Sequence, residues 1–263
     1  MSGACVEATS PHDPGEPPRS VAALHPEAAP NRRHPTPIGL LALVCEASAA
    51  ALSSALLGGL AIMAYGLAAG RAAGPGLEVR SWAAVALGQI LLGAFVAWRA
   101  RRRFGADWRA AIGFRAVALD RRLAGRIALA LALYWAWAVL VIAAVGFGGG
   151  LRGVPDIAPR STAALAAFAL TAGVLAPLCE EAFFRGYVQA RAQALLPSPA
   201  SIALPALLFG LAHFNGSFIQ PAVVVMLGVL AGWLRHVTAS LVPGMVLHAV
   251  SNGCLIAVVA LAR

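Results

Sequence analysis

Lysine is absent from this chain of 263 residues, and only 11 residues are acidic, against 20 arginines. Just three acids follow residue 121, namely Asp156, Glu180 and Glu181. With 60% hydrophobic and 12% charged residues, the composition excludes an ordinary soluble domain and indicates an integral membrane protein. Arginine without lysine, beside abundant alanine, glycine and proline, is typical of a GC-rich genome, so we expect the plasma (inner) membrane of a bacterium.

Two further absences narrow the class of protein. The four cysteines form no CxxC pair, so neither a disulfide framework nor a thiolate metal site is indicated. No internal repeat of the kind that builds inverted-repeat transporters is found.

Residues 1–37 hold eight of the 17 prolines and no periodic apolar pattern, which predicts a disordered cytoplasmic tail. This tail lacks the ordered features of a secretory signal, so the first apolar segment should remain in the mature protein.

Residues 38–263 are dominated by long apolar segments. Most of them approach the ~20 residues that cross ~30 Å of hydrocarbon. They predict an all-α, polytopic bundle of about seven transmembrane helices around a polar intramembrane cavity, with six or eight helices as alternatives. The segments run over residues 38–69, 82–98, 127–147, 161–191, 201–214, 218–234 and 240–262.

Arginines are concentrated between the second and third apolar segments. Nine of them lie between residues 99 and 126, against only two acids, Asp107 and Asp120. Because positively charged loops stay on the cytoplasmic side, we expect this loop and the N-terminus to be cytoplasmic. The cluster favours contact with the anionic headgroups of the lipid bilayer and not with nucleic acid.

Charge deep in the fourth apolar segment is the strongest functional signal. Glu180 and Glu181 follow the uncharged run of residues 161–179, and ionisable groups at such depth cost roughly 2.5 to 3.5 kcal/mol each on insertion scales. Glu181 and Arg185 are four residues apart on one helix face, which predicts an ion pair and leaves Glu180 as the free carboxylate. Pro177 is expected to remove a backbone hydrogen bond to Gly173 just before this site.

Two later segments carry matching polar pairs. His248 and Asn252 are four residues apart, as are Phe209 and His213 one segment earlier. At about 1.5 Å per residue, Glu180 and the polar groups of these segments lie roughly 12 to 18 Å from the expected cytoplasmic edges. A carboxylate, two imidazoles and an amide provide a base, a proton donor and oxyanion donors for water-driven amide hydrolysis.

These residues resemble the signature of a known protease family. Over residues 160–255 the chain is similar to the CPBP family, the CAAX proteases and bacteriocin-processing enzymes, also called the Abi family. The family fold is a bundle of membrane helices around a cavity. The motifs that carry the resemblance are Glu180-Glu181-x-x-x-Arg185, Phe209-x-x-x-His213, and Ser240-Leu241 and Pro243 leading into His248-x-x-x-Asn252.

The resemblance also implies roles for single residues. Glu180 and His213 would activate a water molecule, and His248 and Asn252 would stabilise the oxyanion. The segment would then be the catalytic region of an intramembrane endopeptidase acting on a membrane-associated peptide or protein.

Other residues of the signature would support the site. Glu181 and Arg185 would form a supporting pair, and Phe209 would line the cavity. No cofactor is favoured, because an HExxH helix is absent. Zinc is the alternative, since two histidines and a carboxylate provide enough ligands for a catalytic zinc site. The alternative zinc ligands are Glu180, His213 and His248.

Two other functional classes stay open at this point. A catalytically silent relative acting as an immunity or scaffold protein would keep the fold but would tolerate loss of the polar residues. A proton-coupled transporter would also place acids and histidines inside a bundle. The complete set of polar motifs favours the protease over the first alternative, and the missing repeat disfavours the second.

Overall fold

The computed structural model describes residues 36–68, 76–146, 159–214 and 217–262. Within these ranges the chain forms seven long helices and no strand, which confirms the predicted all-α class. Up to residue 35, the predicted tail lies outside the described residues. The helices are α1 (Pro37–Ala68), α2 (Leu77–Phe104), α3 (Arg121–Gly146), α4 (Thr162–Gln193), α5 (Ser198–Ala212), α6 (Ile219–Thr238) and α7 (Val242–Leu261).

Six of these helices are long and apolar enough to cross a membrane. The exception is α5, whose 15 residues extend over about 22 Å at about 1.5 Å per residue. This length is short of the ~30 Å hydrocarbon layer. The protein is therefore a polytopic membrane protein, with six candidate spans and one shorter apolar helix among its described residues.

Large apolar side chains face outward from the bundle. On α3, for example, Val139 and Leu140 are 63% and 60% exposed, and Val258 on α7 is 62% exposed. Contact of such a surface with water over several helices is unfavourable, whereas its contact with lipid chains is favourable. The polar side chains of the site described below are turned in the opposite direction, toward the inside of the bundle.

Polar side chains fix where α3 and α4 begin. The side chain of Asp120 precedes α3, and its Oδ1 accepts a hydrogen bond from the backbone N–H of Leu123 at 2.7 Å. Ser161 precedes α4, and its Oγ accepts one from the N–H of Ala164 at 3.1 Å. Each cap satisfies a backbone donor that the first helical turn leaves without a partner.

The connection between α2 and α3 packs against the turn between α6 and α7. The backbone N–H of Leu241 donates to the carbonyl of Gly113 at 2.8 Å, and the hydroxyl of Ser240 donates to the carbonyl of Arg115 at 2.7 Å. These two connections therefore lie at the same end of the bundle. That this end is cytoplasmic remains a prediction from the arginine distribution.

A polar network joins α1, α2 and α4 near the arginine-rich end of α2. The carboxylate of Glu46 accepts a hydrogen bond from the hydroxyl of Tyr187 at 2.6 Å and pairs with Arg99 at 2.7 Å. Arg191, on α4, also pairs with Glu46 and donates to the same tyrosine hydroxyl at 2.7 Å. The network holds α4 against α1 and α2, and so fixes the helix that carries the two adjacent glutamates.

Candidate active site

Helix α4 changes its winding on both sides of the two glutamates. Residues Thr171–Leu175 and Ala182–Gln189 are wound as π-helix, and Ala176–Glu181 between them is α-helical. Wide π turns rotate the following side chains out of the ordinary helical phase and occur often at functional sites. Here they allow neighbouring residues of α4 to face the interior together, including Glu180 and Glu181.

Glu181 is the centre of a buried charge network. Its Oε1 lies 3.0 Å from a terminal guanidinium nitrogen of Arg185 and 3.0 Å from Nδ1 of His248. The three residues are between 0% and 2% exposed. The i,i+4 ion pair expected from the spacing is present, and it also extends to α7. Because a carboxylate accepts, Nδ1 of His248 carries the proton in this contact.

Glu180 points to a different set of partners. Its Oε1 accepts a hydrogen bond of 2.6 Å from the side-chain amide of Gln89 on α2. Its Oε2 is buried, has no hydrogen-bond partner among the described residues and lies 3.8 Å from Nε2 of His248. One carboxylate oxygen is thus held in place, and the other faces an imidazole nitrogen across a short gap.

Gln89 is a site residue that the motifs did not reveal. It lies 91 positions before Glu180, so no local spacing connects the two residues. The only signal in the sequence was a single amide within the apolar segment 82–98. Its own carbonyl oxygen Oε1 is buried without a partner among the described residues, as is Oε2 of Glu180.

Two glycines let neighbouring helices approach the glutamates. A Cβ atom added to Gly93, one turn after Gln89, would lie 3.0 Å from Sγ of Cys179. A Cβ added to Gly244, one turn before His248, would lie 3.1 Å from Oε2 of Glu181. Larger residues at either position would push α2 or α7 away, and with it the side chain that touches a glutamate.

Phe209 of α5 forms the wall between the two histidines. Its ring centroid is 4.7 Å from the guanidinium carbon of Arg185, 5.8 Å from the ring of His248 and 4.6 Å from the ring of His213. It is fully buried. The arginine face contact adds a cation–π interaction to the ion pair with Glu181.

His213 lies at the end of α5, where it contacts Phe209. Its Nδ1 donates to the carbonyl of Phe209 at 2.8 Å, and the residue is only partly buried at the end of α5. It makes no ion-pair contact with Glu180 among the described residues, whereas His248 does. The structure brings His248 to the free glutamate and places His213 behind Phe209. Its role in activating water remains a prediction.

Asn252 bonds to the backbone of α4. Its Nδ2 donates to the carbonyl of Ala172 at 2.7 Å. In this π segment the N–H of Ala176 bonds to the carbonyl five residues earlier, that of Thr171. In the same register, the donor to the carbonyl of Ala172 would belong to Pro177. Proline has no N–H, and the amide of Asn252 takes its place at Ala172.

The expectation for Pro177 assumed α-helical register, in which the affected carbonyl is that of Gly173. The wider turn shifts the affected carbonyl by one residue, to Ala172. Asn252 therefore has a structural contact in addition to any catalytic one. An amide nitrogen carries two protons, so one remains for another acceptor, and its oxyanion role stays a prediction.

The alternative zinc ligands do not form a three-residue set. Glu180 and His248 are neighbours, but His213 is separated from them by Phe209 and bonds to a backbone carbonyl. Across the described residues no group of three or more His, Cys, Asp or Glu side chains is arranged to hold a metal ion. The residues as placed do not fit a zinc site of the expected kind, and no catalytic step is derived through a metal.

Burial also bears on the predicted polar cavity. Glu180, the most exposed of the four charged or imidazole side chains at the centre of the site, is only 7% exposed. The centre is polar and lies inside the bundle, as expected. A cavity open to water and substrate around it remains a prediction.

Comparison with known proteins identifies the segment that carries the site. Residues 162–254 match the family model described as type II CAAX prenyl endopeptidase Rce1-like. No curated protein and no solved structure matches the chain. The matched residues include both glutamates, both histidines and Asn252, whereas Gln89 lies outside them. The match confirms the resemblance drawn from the motifs: over residues 162–254 this membrane protein is similar to the CAAX-type intramembrane proteases.

Proposed function

We propose that this protein is an intramembrane endopeptidase in which Glu180 activates the water that cleaves a peptide bond. The observation on which the proposal rests is the hydrogen bonding of the two oxygens of the Glu180 carboxylate. One oxygen is fixed by Gln89, and the other is buried, has no hydrogen-bond partner in the described part of the chain and lies 3.8 Å from Nε2 of His248. A separation of 3.8 Å is too long for a direct hydrogen bond, and a water molecule about 2.8 Å from each atom would bridge it.

The chemistry then follows from the two glutamates. Oε2 of Glu180 takes a proton from the bridging water as the water oxygen attacks the peptide carbonyl carbon. Breaking the carbon–nitrogen bond passes that proton to the leaving amine, so the carboxylate is restored. We assign the proton transfer to Glu180 and not to Glu181. Oε2 of Glu181 is also buried without a partner among the described residues, but the charge of Glu181 is already compensated by Arg185 and by the N–H of His248, which makes it the weaker proton acceptor.

Stabilisation of the oxyanion is assigned to His248 and Asn252. With Nδ1 held by Glu181, Nε2 of His248 faces the gap beside Glu180, and when it carries a proton it donates to the developing negative charge. Asn252 lies one helical turn further on and keeps one amide proton after bonding to Ala172. In this buried setting each such donor is worth more than in water.

His213 is assigned an accessory role on the partly exposed side of the site. Its Nδ1 is engaged with the carbonyl of Phe209, which leaves Nε2 as the nitrogen able to exchange a proton. From behind Phe209 it assists water activation by Glu180 without being its nearest partner. Phe209 itself keeps the two imidazoles apart and covers Arg185.

The substrate class is a peptide or protein held at the membrane. A catalytic carboxylate inside an apolar bundle acts on polypeptide that enters from the lipid or its surface, and the matched family model is named for prenylated CAAX ends. We propose that the protein acts without a metal ion, in the bacterial plasma (inner) membrane, with its N-terminus cytoplasmic.

A comparison of membrane peptidomes tests the function in cells. Cells carrying the native protein should contain cleaved membrane peptides that disappear in cells carrying Glu180→Ala at equal abundance. Peptides that depend on the protein but persist in the Glu180→Ala cells would contradict a protease role for this site. An unchanged peptidome, together with a phenotype that only complete deletion produces, would instead identify a silent scaffold.

A further inference from the structure

Arg235 is a buried cation outside the candidate active site. It lies in the last turn of α6 and is 8% exposed. Its Nε atom is buried and has no acceptor among the described residues. A helix C-terminus only weakly favours a cation, and it does not supply the acceptor that this buried Nε lacks.

A second arginine increases the excess of positive charge. Arg115 lies two residues after Gly113, which packs against the guanidinium of Arg235, and the charge of Arg115 repels that of Arg235. Nε of Arg115 is also buried without an acceptor among the described residues. An anion from outside the described part of the chain would supply acceptors and an opposite charge to both arginines.

The backbone around the two arginines is fixed, so the arrangement is a built site. Gly113 has a φ of 91°, and its carbonyl accepts from the N–H of Leu241 at 2.8 Å. A Cβ atom at Gly113 would lie 2.7 Å from the guanidinium carbon of Arg235, so only glycine allows this contact. The carbonyl of Arg115 is held at 2.7 Å by the hydroxyl of Ser240.

Apolar side chains and further arginines lie on the same elements. Phe114 directly precedes Arg115, and Val237 lies two residues after Arg235. Their side chains are 39% and 40% exposed. A cleft of about 280 Å³ lies between the start of α3 and the end of α6. Its polar lining comprises Asp120, which caps α3, together with Arg122, Arg126 and Thr238.

We propose that Arg115 and Arg235 bind the phosphate of an anionic phospholipid at this end of the bundle. A phosphodiester accepts paired hydrogen bonds from guanidinium groups, and a lipid also covers the exposed apolar side chains beside them. Basic pockets between membrane helices on the cytoplasmic side are suited to such headgroups. The lipid then acts as a ligand that ties the α2–α3 connection to the α6–α7 turn.

Thermal unfolding of the purified full-length protein tests this site. In micelles containing phosphatidylcholine alone, Arg235→Met should be at least as stable as the native protein, because an unpaired buried charge has been removed. Added phosphatidylglycerol should raise the melting temperature of the native protein saturably. In Arg235→Met the apparent Kd for phosphatidylglycerol should rise about tenfold or more, which is the effect of losing one charged hydrogen-bonding partner.

Controls distinguish this site from general attraction to charge. Arg103→Gln removes an exposed arginine from the same end and should leave the response to phosphatidylglycerol unchanged. If Arg235→Met folds poorly, Arg115→Gln is the second variant. Native mass spectrometry should then show that Arg115→Gln no longer retains the phosphatidylglycerol bound by the native protein. Equal responses in the native protein and both site variants would overturn the proposal. The same saturable shift with inorganic phosphate, or with a peptide carboxylate, would replace the lipid by that ligand and also overturn it.

Discussion

Nδ1 of His248 lies 3.0 Å from Oε1 of Glu181, so the second glutamate of the pair, and not the first, orients the imidazole. Its other nitrogen is thereby turned toward Glu180, 3.8 Å away. The two adjacent carboxylates therefore have separate tasks. Glu181 holds the imidazole and neutralises Arg185, whereas Glu180 is the carboxylate that we propose to bind and activate water.

The pairing of Glu181 with Arg185 predicts a strong dependence of stability on both partners. Arg185→Met leaves a buried carboxylate with one partner fewer, and we expect a loss of about 3 to 5 kcal/mol in unfolding free energy. The double variant Glu181→Gln/Arg185→Met should recover part of this loss, because neither charge then remains buried alone. Chemical denaturation in detergent measures both effects.

Arg191→Met is the matched control for this prediction. Its guanidinium pairs with Glu46 at a partly exposed position, where an ion pair contributes about 0 to 1 kcal/mol. We expect a clearly smaller loss of stability there. Equal losses for Arg185→Met and Arg191→Met would show that burial of the pair beside Phe209 has no special energetic effect.

The contact between Gln89 and Glu180 predicts that substitution of a residue outside the family-matched segment lowers the catalytic rate. Gln89→Leu removes the donor at 2.6 Å that fixes the carboxylate, and hydrogen bonds to charged groups are worth about 1.5 to 3 kcal/mol. We expect kcat to fall by roughly 10- to 100-fold with little change in KM, because substrate binding does not use this bond. Steady-state kinetics with a membrane-anchored peptide measures the two parameters.

Gln189→Leu controls for the loss of a buried glutamine. Gln189 is fully buried and donates to the carbonyl of Gly232 at 2.9 Å, away from both glutamates. That variant should lower the melting temperature and leave kcat of the folded protein unchanged. A kcat for Gln89→Leu equal to that of the native enzyme would remove Gln89 from any part in positioning Glu180.

Asn252 has a structural contact and a proposed catalytic one, and a paired substitution separates them. Asn252→Ala should lower stability, because the carbonyl of Ala172 loses its donor, and should also lower kcat. Adding Pro177→Ala restores a backbone N–H in register with that carbonyl. The double variant should therefore regain stability without regaining rate.

Recovery of both stability and rate in Asn252→Ala/Pro177→Ala would show that the amide acts only through Ala172. Asn252→Asp provides a second comparison. It places a negative charge where the oxyanion forms, so it should reduce kcat far more than it raises KM. An unchanged kcat in Asn252→Asp would exclude the oxyanion role.

Much of the fold could be predicted from hydrophobic patterning. The seven apolar segments correspond to the seven helices, since membrane spans need long uninterrupted apolar runs. The short predicted segment 201–214 became α5, whose 15 residues fall below the length of a span. Within α4 the spacing of Glu181 and Arg185 correctly indicated their ion pair, because residues four apart share a helix face even beside a π turn.

The contacts that determine the chemistry could not be predicted in the same way. Gln89 reaches Glu180 from a different helix, and nothing in local spacing fixes how two helices rotate against each other. The sequence was interpreted in ideal α-helical register, in which Pro177 affects the carbonyl of Gly173. With the π winding of α4, the affected carbonyl is that of Ala172. The depth estimate placed His213 at the level of Glu180, but depth alone did not indicate which side chains touch, and the ring of Phe209 packs against both histidines.

Metal dependence is a further testable expectation. We expect full activity in purified protein that elemental analysis shows to contain well under one metal ion per chain, and no loss of rate with phenanthroline. A zinc enzyme would lose activity in proportion to the metal removed. Stoichiometric zinc whose removal stops proteolysis and whose return restores it would contradict the metal-free mechanism.

The central claim is that Glu180 is the base, and Glu180→Gln tests it most directly. The amide keeps the size of the side chain but does not accept a proton from water. We predict that turnover of a membrane-anchored peptide by the purified protein falls by about 10² to 10⁴-fold. The elution volume and melting temperature should match those of the native protein. Turnover by folded Glu180→Gln within about tenfold of the native rate would contradict the account, since general base catalysis contributes more than that.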